Sequence, residues 1–552
     1  MKLLSKINPD KALLLVLSIV IIIPLLIFLI LPITIVLLKS FKVDGDRWGL
    51  DNYVTTLSES HFWTVVNNSL AVAGTVTIIA VTLALVFAYA MQRSQIPGKK
   101  YFSLVAMLPV FAPSLVQALG LIFLLGRNGV VNRWLELDIE IYGFWGIVIA
   151  DVIYAFPQAF LLLSAALAVA DSRPYEAARM LGASRRQIFF DVTLPSIKFG
   201  LISSIFLVFT VTITDFGNAM VIGGNYSVLA TEIYNQVSGQ MNFNLGSVIA
   251  IILLIPVFIA FAIERFADRK QHALISDNAV PMVARKNFAF DSLMFSFSSL
   301  ICGLILLVIG IVVFASFVKL WPYNMSMTLD NYNIHSQGGL DPLKTSIIVS
   351  LVAAIIGVVM VTGSAYVVNK SKSIVGSLLN FFSILPAAIP GMVLGLAYIF
   401  FFNEPSNPMN FIYGGIFILA INNVYHYHAQ GFLTATTSLK QISSTFDETS
   451  ACLGANLFVT IKRVTLPIIL PAILSIAVFF FMRTMVTLSA VIFLVSPSVN
   501  MAAVSVMLLD DAGNTTQAAA FSTLIIAIVL STLVLLNLIL KVFKVKSRSL
   551  IS

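Results

Sequence analysis

The sequence predicts an all-α polytopic membrane protein of about twelve transmembrane helices, built as two homologous six-helix halves. Three observations carry that expectation: a depleted charge content, recurrent long apolar runs, and an internal repeat. Of the 552 residues, 59% are hydrophobic and only 11% are charged. The mean hydropathy is +0.97. A soluble domain carries roughly 25% charged residues, so most of this chain has hydrocarbon as its solvent.

A helix needs about 20 apolar residues to cross the bilayer core. Runs that meet this lie near 12–38, 65–90, 102–125, 142–168, 198–218 and 245–263. A second set lies near 293–318, 345–368, 377–402, 411–433, 469–495 and 517–540. The first run is too long for the apolar region of a cleavable signal and lacks a clear small-residue cleavage site, so it reads as a retained helix. The fifth and eleventh runs are open to bending or breaking, because irregular backbone is tolerated where it lines a cavity. A polar stretch follows the sixth run and reads as a cytoplasmic linker. The chain then divides into a first half, 1–268, a linker, 269–292, and a second half, 293–552.

Charge placement sets the expected orientation. With the N-terminus inside, inner loops and tails hold 25 of the 33 Lys and Arg. They include Lys2, Lys6, Lys11, Arg93, Lys99, Lys100, Arg173, Arg179, Arg185 and Arg186. Further on come Arg265, Arg269, Lys270, Arg285, Lys286, Lys541, Lys544, Lys546 and Arg548. Outer loops lean acidic, with Asp44, Asp46, Asp51, Glu59, Glu136, Asp138, Glu140, Asp510 and Asp511. The positive-inside rule then puts both termini in the cytoplasm. The net charge of +8 is spread over short loops between apolar runs, which suits membrane topology rather than nucleic-acid binding. The two cysteines, Cys302 and Cys452, define neither a disulfide framework nor a metal-ligand spacing.

The repeat is explicit. Glu176-Ala177-Ala178-Arg179-Met180-Leu181-Gly182-Ala183 runs on to Val192-Thr193-Leu194-Pro195. At an offset of 272 stand Glu448-Thr449-Ser450-Ala451-Cys452-Leu453-Gly454-Ala455 and Val464-Thr465-Leu466-Pro467. Leu50-Asp51-Asn52-Tyr53 returns as Leu329-Asp330-Asn331-Tyr332, at offset 279. Leu108-Pro109 with Pro113 returns as Leu385-Pro386 with Pro390, at offset 277. The unit is therefore about 275 residues long. Six spans per half is an even number, so both halves enter from the same side and both Glu-to-Gly loops face the cytoplasm. This is a parallel repeat, and a transport path between the halves follows from it.

Each repeated loop, 171–195 and 443–467, joins the fourth and fifth spans of its half. Its first segment is strongly helix-forming. Gly182 and Gly454 suit a left-handed turn at a helix C-terminus. A second short helix should run to the Leu-Pro pair, where proline opens the next span. The product is a helix-turn-helix suited to docking into a groove on a partner.

These loops resemble the "EAA" motif, Glu-Ala-Ala followed by Gly and then Leu-Pro, of permeases in binding-protein-dependent ABC importers. The resemblance covers both halves and implies the MetI-like permease fold. It further implies that each loop is a coupling helix seated on an ATPase subunit, two copies in all. ATP-Mg would be bound by those subunits, and a periplasmic or lipid-anchored solute-binding protein would deliver the solute. The coupling residues so implied are Glu176, Ala177, Ala178, Gly182, Glu448 and Gly454. The second copy departs from the pattern at Thr449-Ser450. The one-chain fusion resembles ferric-iron and phosphonate import permeases. Asp215-Phe216-Gly217, Val221-Ile222-Gly223-Gly224 and Leu229-Ala230-Thr231-Glu232-Ile233-Tyr234 are most similar to 2-aminoethylphosphonate-type members. Arg483 with Leu488-Ser489-Ala490-Val491-Ile492-Phe493-Leu494-Val495 resembles both groups. The implied setting is a bacterial inner membrane, and the implied cargo is a phosphonate or phosphate ester, with ferric iron as the alternative.

Ionisable residues within spans are costly and often functional. Arg483 in the eleventh run can offer a planar fork of donors to an anionic solute, or pair with Asp510, Asp511 or Asp215. Asp151 in the fourth run, matched by Asn423, and Asp215 near the outer end of the fifth are candidates for the path, but interhelical glue or a gate is the preferred reading for both. His426 and His428 fall on different helix faces, which argues against a shared metal. An ion-coupled secondary transporter would call for more embedded acids and no repeated docking loop. No nucleophile–base set, His-Glu-x-x-His or phosphate-binding Gly-Lys-Ser/Thr is present, so the chain reads as no enzyme, and ATP hydrolysis falls to another chain.

Overall fold

The computed structural model describes residues 9–43, 47–273, 280, 282, 284, 286–334, 338–371 and 374–542. Lys2, Lys6, Asp44, Asp46, Arg285, Lys544, Lys546 and Arg548, and part of the expected linker, lie outside the described residues. Within them the fold is helical, with two small two-stranded hairpins, Lys42–Val43 with Arg47–Trp48 and Val318–Leu320 with Asn324–Met327.

Ten helices among the described residues are long and apolar enough to cross a membrane, or eleven when one bent pair is taken as a single span. The expectation of unbroken third and ninth spans is corrected. The ninth divides into Ile374–Ala388 and Gly391–Phe402, bent by 110°. The third divides at the same place into Lys99–Ala106, a tight turn at Leu108–Phe111, and Leu115–Leu125. The cause is the repeated proline pair, Pro109 with Pro113 and Pro386 with Pro390, since proline has no N–H for the helix ladder and clashes with the preceding turn. The tenth run is also interrupted, at Tyr427, between Ile416–His426 and His428–Lys440.

The fifth and eleventh runs do break. The fifth helix ends at Ile213, followed by an irregular stretch and the short helix Gly217–Ile222. The eleventh ends at Val486, short of the expected 495. Their beginnings also differ from expectation. The helix after each loop glycine does not stop at Leu-Pro; it continues into the span, as Arg185–Ile213 and Leu457–Val486. Just ahead of Pro195 and Pro467 it widens into π turns, Ile188–Thr193 and Ile461–Thr465. These prolines cannot donate to a carbonyl one turn back, and the wider turn accommodates the loss. The sixth helix, Phe243–Ala273, runs into the expected linker, helped by an Arg265–Asp268 pair at 3.6 Å one turn apart.

Packing uses small residues, as it must where lipid removes the hydrophobic drive for helices to associate. Ala73, Ala80, Ala84 and Ala88 of Ser60–Arg93 are fully buried, as are Ala155 and Ala159 of Phe144–Ala168. Phe87 meets Phe156 and Phe160 edge-on, with ring centroids 5.4 and 5.0 Å apart.

The halves are interlocked by their first helices. Leu31–Ser40 of the first half packs on Gly391–Phe402 of the second, and Phe288–Ser316 of the second packs on Leu115–Leu125 of the first. The Tyr398 hydroxyl donates to the Phe28 carbonyl at 2.7 Å. On the other side, a Cβ on Gly120 would fall 2.4 Å from the Val308 carbonyl oxygen, so this close crossing requires glycine.

Candidate functional site

Between the halves lies a polar cavity of about 170 Å³. Its walls follow the repeat. At the offset of 272 it is lined by Tyr154 and His426, Gln158 and Gln430, Val211 and Arg483, Asp215 and Thr487, and Gly217 and Ser489. The breaks at the ends of the fifth and eleventh helices put Asp215 and Thr487 on the wall. The proline breaks bring in the starts of Leu115–Leu125 and Gly391–Phe402. Each of these starts meets the break of its own half through one glycine and one serine, with the roles exchanged. A Cβ on Gly217 would lie 2.3 Å from Ser114 Oγ, and one on Gly391 would lie 2.5 Å from Ser489 Oγ.

Arg483 is the fixed cation of this cavity. Its guanidinium stands over the Tyr427 ring, 5.0 Å from the centroid, with the Tyr154 side chain on the same cavity wall. The Tyr427 hydroxyl is shared with Thr487 Oγ1 at 2.9 Å. Among the described residues no carboxylate forms an ion pair with Arg483. The expected candidates Asp510, Asp511 and Asp215 do not reach it. Asp215 lines the same cavity, but its carboxylate accepts the Asn218 backbone N–H at 2.9 Å. Asp151 stands behind it, 1% exposed and off the cavity wall, accepting Asn218 Nδ2 at 2.8 Å. Asn218 Oδ1 in turn accepts the Ala118 N–H at 3.2 Å. Asp151 and Asp215 thus meet in one network that ties the fourth span, the break after the fifth and the helix Leu115–Leu125.

His426 faces the cavity. His428 is buried away from it, stacked at 9° on Tyr425, with 6.0 Å between centroids. Tyr154, Tyr427, Gln158, Gln430, Ser114 and Thr487 were not singled out from sequence. The offset of 272 holds the signal for the glutamines, since Gln158 and Gln430 fall at matching positions of two otherwise apolar runs.

The two loops form the second part of the site. Arg173–Met180 and Ser444–Cys452 are helices ended by Gly182 and Gly454, at φ +79° and +73°. In each, the next N–H reaches back five residues, Ala183 to Ala178 and Ala455 to Ser450, at 3.0 and 3.1 Å. This is the glycine-terminated cap expected there. Ser184 and Asn456 then cap the following helices.

Their interiors differ in a matched way. Ala178 packs against a small apolar core of Ala170, Tyr175 and Ile188. At the equivalent positions the second loop carries Ser450 and Thr460, whose hydroxyls bond at 2.6 Å. The departure from Ala-Ala therefore replaces an apolar contact with a polar one inside the same turn. In the first loop the Arg173 guanidinium beside Asp171 pulls that carboxyl down to about 2. Glu176, Ala177, Gly182, Glu448 and Gly454 are exposed. The turns also expose Met180, Leu181 and Leu453, at 89, 87 and 82%. Apolar tips left so open in otherwise folded loops suit contact with another surface.

Two interlocked halves of membrane helices, a polar cavity shared between them and a protruding loop on each define a permease. The family model for the binding-protein-dependent transport system inner membrane component matches residues 80–272. The chain is 30% identical over 502 residues to a putative ferric transport system permease protein, FbpB 1, of Haemophilus influenzae, covering 87% of this chain and 78% of that protein. It is 28% identical over 538 residues to the ferric transport system permease protein FbpB of Actinobacillus pleuropneumoniae, covering 92 and 76%. A second Haemophilus influenzae protein, Fe(3+)-transport system permease protein FbpB 2, is 25% identical over 482 residues, covering 87 and 89%. The chain belongs to the family of inner membrane components of binding-protein-dependent transport systems, as a fused two-domain permease of an ABC importer.

Proposed function

We propose that this permease imports ferric iron, received from a solute-binding protein on the outer side and driven by two ATPase subunits seated on the loops at Gly182 and Gly454. The observation that carries the substrate is the match along most of the chain to three relatives named as ferric permeases. The chemistry of the cavity is compatible with it. Tyr154, Tyr427 and Asp215 supply hard oxygen atoms, of the type that hard cations prefer. Arg483 repels a bare cation and attracts an anion. Iron passing it would therefore travel with an anionic ligand that offsets its charge. Import of 2-aminoethylphosphonate is the second reading, favoured by the absence of a carboxylate paired with Arg483 among the described residues. Reconstitution of the permease with its ATPase and binding protein in proteoliposomes tests both. ATP-dependent accumulation of labelled ferric iron is expected. Accumulation of 2-aminoethylphosphonate without iron would replace the first reading by the second.

The mechanism is alternating access. ATP binding closes the ATPase pair and draws the two loops together. The cavity then opens toward the loaded binding protein, and hydrolysis resets it. This requires both loops and both termini on the cytoplasmic side. In a variant lacking Cys302 and Cys452, single cysteines placed at Ser184 or Asn456 should react with an impermeant maleimide only in inside-out vesicles. Reaction in intact cells would refute the arrangement.

A further inference from the structure

A second cavity, of about 580 Å³, opens beside the first loop. It is enclosed by the end of Ser60–Arg93, by the loop helices and by Met282, Lys286 and Asn287 of the chain leading to the second half. Among the described residues, five cations line it, Arg93, Arg179, Arg185, Arg186 and Lys286, and no carboxylate does. Basic residues on an inner loop are expected for topology alone. Topology does not require them to converge on a cavity, nor does it require one of them, Arg93, to be buried. Arg93 is 6% exposed, and among the described residues its Nε has no hydrogen-bond partner. The Tyr175 hydroxyl, on a residue 1% exposed, has none among them either. Arg93 lies over the Tyr175 ring at 5.4 Å. Two acids of the flanking segments make their hydrogen bonds outside the cavity, although Asp291 also senses the charge of Lys286. Asp171 holds Arg173, and Asp291 accepts the backbone N–H groups of Gln95 and Asn287 at 2.9 and 3.0 Å.

The second half is the internal control. At offset 277, Tyr366 and Lys370 take the places of Tyr89 and Arg93. At offset 272, Asp447 takes that of Tyr175, while Ala451, Leu457 and Phe458 take those of Arg179, Arg185 and Arg186. There Lys370 is paired with Asp447. At these matched positions the second half carries one cation with its own counter-anion, under the same topological rule. The first half has the cations, and at the position of Asp447 it has Tyr175.

We propose that the pocket beside the first loop binds a phosphate group, supplied either by free phosphate-bearing anions or by the headgroup of an anionic phospholipid. Guanidinium groups on several elements match the several acceptor oxygens of a phosphate. The exposed Phe190 ring on the rim offers apolar surface of the kind an acyl chain needs. The proposal is independent of which solute the permease carries.

The test uses the full chain in phosphatidylcholine nanodiscs, with melting followed as inorganic phosphate is added against chloride at matched ionic strength. A parallel arm replaces part of the phosphatidylcholine by phosphatidylglycerol. Tm should rise with the logarithm of phosphate concentration, by about a degree or more per tenfold, or rise with phosphatidylglycerol. The first result assigns a soluble anion and the second a lipid headgroup. Arg179→Gln with Arg185→Gln should abolish the shift. Tyr175→Asp, which gives the first half the carboxylate that the second half has, should abolish it as well. No shift beyond chloride, an equal shift in both variants, or a shift seen only when the ATPase is added would overturn the proposal, the last by assigning the pocket to the ATPase contact.

Discussion

A chain carrying both Gly182→Pro and Gly454→Pro should insert normally and lose binding-protein-stimulated transport. Both glycines occupy the left-handed region, at φ +79° and +73°, which proline with φ near −65° cannot enter. Their N–H groups also donate to Arg179 and Ala451 at 3.0 Å, and proline removes those donors. Left-handed strain of about 1–2 kcal/mol and a lost hydrogen bond of about 1 kcal/mol fall on short, exposed helices with few contacts to resist them. A distortion of that size, passed to a docked partner, weakens the contact by roughly tenfold or more. Neither position lies inside a span, so insertion should not change. Of the single variants, Gly182→Pro should be the more damaging, because the second loop departs from the motif and has its Ser450–Thr460 bond inside the turn to hold it. ATPase co-purification and transport in proteoliposomes measure the effect. Full transport by the double variant would sink the coupling role.

Arg483→Gln should fold and reach the membrane yet transport at least about tenfold more slowly, a loss equivalent to about 1.4 kcal/mol of barrier. The usual objection to removing a buried charge is the partner left unpaired. Among the described residues Arg483 has no carboxylate partner. Its neighbours are the Tyr427 face and the Tyr154 side chain, and both tolerate a neutral amide. Arg483→Lys keeps the charge without the planar fork and should fall between the two. ATPase stimulation by the loaded binding protein should persist in both, since the loops are untouched. Transport by Arg483→Gln at the parent rate would remove Arg483 from the path. A collapse in expression that a change at Asp510, Asp511 or Asp215 repairs would make it a structural ion pair after all.

Much of this fold was legible because hydrocarbon imposes long apolar runs, and because a duplicated chain reads itself twice. The loop glycines were legible for a local reason: a helix-forming segment followed by glycine specifies a left-handed cap whatever surrounds it. The breaks in the third and ninth spans were legible in principle, since Pro109, Pro113, Pro386 and Pro390 were recognised as repeated, but composition alone merged the pieces into one run. The cavity was only partly legible. Arg483 and Asp215 stand out in apolar sequence. Tyr154 and Tyr427 do not, because a tyrosine in a span is as often a packed aromatic as a polar wall. The Asp151–Asn218 contact joins residues 67 apart and depends on how the fourth span meets the break after the fifth. No periodicity carries that information.

The exchange of first helices has a consequence for pairing. Each half leaves one wall of its own bent third helix to be covered by the first helix of the other half, so neither half is a finished unit. Were the halves separate chains, either could pair with a second copy of itself. Such a pair would hold two arginines at the Arg483 position or none, and two coupling loops of one kind. Joining them in one polypeptide sets the effective concentration of the unlike partner far above that of a like one. One-sided features, such as a cation facing a valine or an arginine-lined pocket on one loop alone, then become heritable as a matched set, since every molecule receives one half of each kind.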